Sequence, residues 1–177
     1  MPQNASARSS LLPVWAAALA FAVSQANLAH LLAPLNPSLF ALQLAFTPDA
    51  FWWVIEAWGP AGVAAYRAHF PYDFLHPFLY AAFGYLTATR TALLPGRTPA
   101  LGRAARWALP VAGLCDLAEN ALHLHLLALA LGAGGGLVTL SGTCSLIKWG
   151  LAAAFALALG WGVLRHGVAR LAGARPG

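Results

Sequence analysis

Four stretches of predominantly apolar residues, 11–35, 74–94, 107–131 and 137–164, dominate the chain, and each reaches the roughly 20 residues a helix needs to cross the hydrocarbon layer of a bilayer. Composition agrees with that reading. Of the 177 residues, 60% are hydrophobic and only 8% are charged, far below the roughly one quarter charged residues of an ordinary globular chain. The fold class expected is all-α: a polytopic membrane four-helix bundle, built as a single membrane domain over residues 1–177.

The charged residues give that bundle an orientation. Arg90, Arg97, Arg103 and Arg106 crowd the connection between the second and third stretches, Arg8 precedes the first, and Arg165, Arg170 and Arg175 follow the fourth. Basic residues near span ends collect on the cytoplasmic side. The expected location is therefore a bacterial inner (plasma) membrane, multi-pass, with both termini and the tail 165–177 cytoplasmic. A second reading of the start treats 11–23 and the small-residue triplet Ser24-Gln25-Ala26 as a cleavable signal peptide, although apolarity resumes through Leu28 to make one continuous span. The net charge of +5 lies between and beyond apolar stretches rather than on an amphipathic face, which argues against nucleic-acid binding. Cys115 and Cys144 fall inside apolar segments without CxxC spacing and read as packing residues.

Opposite the basic side lie the glycine-rich turn 132–136 and the long segment 36–72. In the latter, Thr47-Pro48-Asp49 reads as a helix start with Pro in the first turn, and Phe51, Trp52, Trp53, Ile55 and Trp58 follow before Gly59-Pro60 breaks the run. Trp favours the headgroup level, so an interfacial helical hairpin between spans 1 and 2 is expected.

Each span carries one polar face. At 100° per residue, Asp116, Glu119, Asn120 and His123 fall within about a third of the circumference of the third helix. Ser141, Cys144, Ser145 and Lys148 repeat the pattern on the fourth, Asp73, His76, Tyr80 and Thr87 on the second, and Ser24, Asn27 and His30 on the first. The stripes place His30, Asp73 and His76 near the outer surface and Asp116, Glu119 and Lys148 near the midplane, and no titratable side chain continues beyond. A through-going ion or proton path is therefore disfavoured, and an outward-opening polar cavity is expected.

The chemistry of that cavity has three readings. Lys148 is the counter-charge for Asp116 or Glu119, so the cluster is either a structural ion pair or, with one acid in surplus beside His76 and His123, an acid–base centre. A metal held by His30, His76, His123 and a carboxylate, or a haem between two of the histidines, is the third, with no HExxH or other fixed spacing behind it. The expected function is binding or acid–base chemistry on a membrane lipid or isoprenoid that enters past Trp52 and Trp53. In it Asp116, Glu119, Lys148, His76 and His123 are catalytic, and Asp73, Tyr80, Asn120, Ser141, Ser145, Asn27 and His30 bind the ligand. The alternatives are an accessory subunit docking a larger membrane complex and a haem or metal-binding electron-transfer protein. No cofactor is specified by a motif; GxSxG, P-loop and GxGxxG patterns are absent.

Three elements, Asp73-x-x-x-Pro77-x-x-Tyr80, Asp116-x-x-Glu119-Asn120 and Lys148-Trp149, together with Tyr66-Arg67, resemble a pattern of small bacterial four-span membrane proteins of unassigned function. His76 stands where that group carries Phe. The resemblance implies a four-span architecture over most of the chain after the first helix. At the level of architecture alone, the arrangement is similar to the emopamil-binding sterol isomerases.

Overall fold

A computed structural model of the chain describes residues 10–94, 98–171 and 173, and they form six helices: α1 (Leu12–Leu32), α2 (Leu39–Gln43), α3 (Pro48–Asp73), α4 (His76–Arg90), α5 (Pro99–Leu126) and α6 (Gly135–Leu171). Arg8, Arg97 and Arg175 lie outside the described residues. The all-α class is found, but the four-span bundle is not. Among the described residues, only α1 and α6 are long and apolar enough to cross a membrane. The helix in the place of the second span, α4, has 15 residues and is about 22 Å long against a hydrocarbon layer of about 30 Å. In the place of the third, α5 carries Arg103, Arg106, Asp116 and Glu119. The inner-membrane location and the placing of both termini on one side depended on four crossings and do not stand without them.

The segment 36–72 also differs from expectation. Thr47 does cap α3, its Oγ1 accepting from the Ala50 N–H at 3.3 Å, and Gly59, at φ 61° and ψ −174°, interrupts the helix where Gly-Pro was expected to break it. However, the Trp-rich part is core, not an interfacial hairpin. Phe51, Trp52, Val54, Ile55 and Trp58 are buried together with Leu42, Tyr66, Phe70, Leu126 and Val138. Trp52 Nε1 donates to the Ala133 carbonyl at 2.8 Å and Trp58 Nε1 to that of Pro37 at 2.6 Å. Fully burying an indole with its N–H satisfied is favourable, and here it ties α3 to the α5–α6 turn.

A second apolar cluster, Tyr80, Leu94, Leu109, Ala112 and Phe155, forms at the other end of the bundle. Along α5 and α6 the two clusters are separated by a polar band: Asp116 to His123 on one helix, Ser141 to Lys148 on the other. The packing order runs α1, α4, α5, α6, each against the next, and α1 and α6 do not close on each other. α2 spans from α3 to α6 near one end of the open side. Outward faces of α1 and α6 are apolar as well, with Leu12 73% and Leu157 76% exposed.

Small residues set the closest approaches. A Cβ at Gly84 would stand 2.7 Å from the Leu109 side chain, and one at Gly142 2.6 Å from the Ala45 carbonyl oxygen. Gly142 thus lets the 45–46 segment lie directly on α6, where Thr139 Oγ1 donates to the Phe46 carbonyl at 2.9 Å. Gly142→Ala should lower unfolding stability by about 1–3 kcal/mol, whereas Gly150→Ala, which meets nothing within 4 Å, should be neutral or stabilising by up to about 1 kcal/mol. Denaturant midpoints of the two variants check this, and equal effects would contradict the packing described.

Candidate functional site

The polar band converges on the Lys148 ammonium. Lys148 Nζ donates to Asp116 Oδ1 at 2.9 Å and lies 2.7 Å from Glu119 Oε2, where the contact is ionic but off the hydrogen-bonding direction. The spacing of Asp116 and Glu119 by one helical turn puts both carboxylates on the face of α5 that meets Lys148 on α6. Tyr80 Oη from α4 donates to the other Asp116 oxygen at 3.1 Å. All four side chains are buried. Partners that fill the remaining hydrogen-bonding directions offset the cost of removing such a pair from water; Asp116 is served on both oxygens, while neither Glu119 oxygen has a hydrogen-bond partner among the described residues.

A second buried pair adjoins it. His69 and Asp73, one turn apart at the end of α3, meet through Nε2 and Oδ2 at 3.2 Å, and His69 Nδ1 donates to the Tyr66 carbonyl. Since a carbonyl only accepts, Nδ1 is the donor in that contact. Burial alone would raise the Asp73 carboxyl, but the His69 contact, with Lys148 and Asn120 near, leaves it below its ordinary value. His76, on α4, contacts Ser24 Oγ of α1 through Nδ1 at 2.9 Å and packs on Phe21. Burial lowers its pKa below 6.5, so the ring is neutral at neutral pH. His123 Nδ1 meets Tyr66 Oη at 2.7 Å.

The gap between α1 and α6 is a cavity of about 870 Å³. Leu28, Leu32 and Leu39 on one side and Phe83, Ala152, Phe155 and Leu159 on the other make its walls mainly apolar; Gln25, Ser38 and Gln43 line it too, and the ionisable Asp73, His76, Tyr80, Asp116 and Lys148 form a patch on α3 to α6. Five of the residues expected at a site are thus brought together. Glu119, Asn120, His123, Ser141 and Ser145 are buried behind the patch and do not line the cavity. The two serines donate to carbonyls of their own helix, those of Val138 and Ser141. Asn27 is half-buried on α1, and His30 is exposed and does not line the cavity.

Several expectations fail on this geometry. No group of three or more His, Cys, Asp or Glu side chains among the described residues can hold a metal ion. With His30 exposed and His123 engaged by Tyr66, the proposed metal or haem ligand set is not formed. A lipid or isoprenoid route past Trp52 and Trp53 is not present either: Trp52 is buried, Trp53 is 60% exposed, and neither lines the cavity. The hairpin expected to dock a larger membrane complex is consumed in the core. The cavity is mainly apolar and opens sideways, in place of a polar cavity opening outward. Gln43 and Phe21 line it, and His69 backs it, without having been singled out from sequence, and Trp149, named there only beside Lys148 in the resemblance, lines it too; the His69–Asp73 spacing of four on one helix was the available signal.

No protein-family model, characterised protein or solved structure matches the chain. The resemblance to four-span bacterial proteins, and the likeness to the sterol isomerases, therefore find no support, and the four-span architecture they implied is not the one observed.

Burial raises the Glu119 carboxyl from 4.5 to about 7 and lowers His123 from 6.5 to about 3. For Glu119 the folded chain holds the proton more tightly, so its contribution is full below pH 4.5 and is lost as pH rises through 7; for His123 the contribution is full above pH 6.5 and is lost as pH falls through 3. Between pH 4.5 and 6.5 the two oppose each other. Glu119→Gln should remove the falling component, so that the melting temperature of the variant climbs with pH more steeply than that of the parent. Parallel pH profiles would show that Glu119 is not perturbed.

Proposed function

We propose that the chain is a small-molecule-binding protein that holds a mainly apolar molecule in the gap between α1 and α6, with one polar group of that molecule at the patch on α3 to α6. The observation that carries this is the asymmetry of the cavity lining: the walls are mainly apolar, and the ionisable side chains that line them, Asp73, His76, Tyr80, Asp116 and Lys148, lie on α3 to α6 and not on α1 or α2. Sites for small ligands commonly have a volume of about 300–1,000 Å³ and combine apolar walls with a few convergent polar groups. In this reading Asp116, Lys148, Tyr80, His76 and Asp73 meet the ligand. Glu119, Asn120, His123, Ser141 and Ser145 stand behind them and fix their charge and position. Asp116 and Lys148 are held in place before the ligand arrives, which lowers the ordering cost of binding.

The test blocks the cavity from a position that contributes little to the core. Ala153 lines it and is exposed, so Ala153→Trp should fill the gap without a large loss of stability. Affinity for a neutral, environment-sensitive fluorescent dye should fall about tenfold or more, or 1.4 kcal/mol. Leu157→Trp, on the outward face of the same helix and not part of the lining, should leave binding unchanged. Equal effects of the two substitutions, or no dye binding by the parent chain, would contradict the reading.

A further inference from the structure

The charged groups that line the cavity are not equally free to meet a ligand. Lys148 is held between Asp116 and Glu119 of α5, at 2.9 and 2.7 Å. Asp116 accepts from Lys148 on Oδ1 and from Tyr80 on Oδ2, so both of its oxygens are engaged. Asp73 differs. It lines the cavity, is only 8% exposed, and meets His69 through Oδ2 alone. Asn120 Nδ2, near the same carboxyl, makes no hydrogen bond to it. Asp73 Oδ1 is therefore an open charged acceptor at the lining, and a buried carboxylate with an oxygen unpaired gains most from a donor brought to it.

The surroundings favour a cation there. Burial alone would raise the Asp73 carboxyl, but the contact with His69 leaves it below its ordinary value, so it is ionised at neutral pH. His76 and Tyr80 follow it on α4, with Phe21 of α1 beside them. Ring centroids lie 5.5 Å apart for Phe21 and His76 and 5.3 Å for His76 and Tyr80, and the faces of aromatic rings attract cations. The Lys148 charge, which opposes a cation, is offset by its two carboxylate partners. An anionic group would face both lining carboxylates, Asp73 and Asp116, and would reach Lys148 only in competition with the acids that already hold it. A protonated amine can donate to Asp73 Oδ1 without breaking any contact of the network.

We propose that Asp73, held from behind by His69, is the anchor for the polar group of the ligand, and that the ligand is an apolar amine bound in its protonated form. This rests on the small-molecule reading above and names the ligand class for that site.

Three compounds with one apolar body, cyclohexylbutylamine, cyclohexylbutanol and cyclohexylbutanoate, test this by displacing the same neutral dye from the full chain. At about pH 8 the amine is protonated and the acid ionised. The amine should bind about tenfold or more tightly than the alcohol, the difference between a charge-assisted and a neutral hydrogen bond, and the carboxylate should bind most weakly. In Asp73→Asn the ratio of amine to alcohol affinity should fall to within about threefold, whatever happens to overall affinity. If Asp73→Asn fails to fold, the order of the three compounds on the parent chain decides. Comparable binding of amine and alcohol, tighter binding of the carboxylate, or an unchanged ratio in Asp73→Asn would overturn the anchor while leaving the cavity reading intact. Absence of dye binding by the parent chain, or dye binding that Ala153→Trp does not weaken, would overturn the cavity reading and this inference with it.

Discussion

Lys148 is the only lysine in the chain, and its ammonium is enclosed between two carboxylates of the neighbouring helix. Withdrawing one cation and two acids from water costs several kcal/mol per ion unless the geometry returns it, and that requirement fixes how α5 and α6 can lie. A slide of either helix by one residue would take Lys148 off the Asp116 and Glu119 face. With this register fixed, Leu126 and Val138 meet α3 in one apolar cluster, and Leu109, Ala112 and Phe155 meet α4 in the other. The ionic band is therefore the layer on which the two hydrophobic ends are aligned, and Tyr80 joins α4 to it through Asp116.

The cavity follows from what is left over. α4 and α5 pack closely because Gly84 admits the Leu109 side chain and Gly113 lies against Pro77. α1 packs on α4 and α3, with Ser24 meeting His76, and does not pack closely on α6. The resulting opening exposes one side of the ionic band to the interior of the cavity and leaves the other side, with Glu119 and His123, fully enclosed. In the proposed reading, ligand contact and charge setting are divided between two layers of the same network, the outer one around Asp116 and the inner one around Glu119.

Helical periodicity made part of this legible. The buried residues of the stripe Asp116, Glu119, Asn120 and His123 and of the stripe Ser141, Cys144, Ser145 and Lys148 meet between α5 and α6, and charge matching paired Lys148 with one acid and left the other in surplus, whereas the structure joins it to both. The cap at Thr47 was written in Thr-Pro-Asp. What composition could not convey is where apolar residues go. Phe51, Trp52 and Trp58 read as a surface belt because Trp is common there, yet they fill the core, since the kink at Gly59 folds the two halves of α3 around Tyr66. Apolar length likewise suggested four crossings, but the second stretch becomes a 15-residue helix that starts only after Phe74 and Leu75. Depth along a stripe did not separate Asp116 from Glu119, because which acid faces a cavity depends on the position of α1, and nothing in α5 encodes it.

The most direct test of the central role given to Lys148 is a double-mutant cycle for Lys148→Met and Asp116→Asn, read from unfolding free energies of the parent, the two single variants and the double variant. The account predicts strong coupling, on the order of 1–3 kcal/mol, with the double variant markedly more stable than the sum of the single losses implies. Losses that add to within about 0.5 kcal/mol would mean that the two groups do not interact in the folded chain, and the alignment of α5 on α6 would then need another cause.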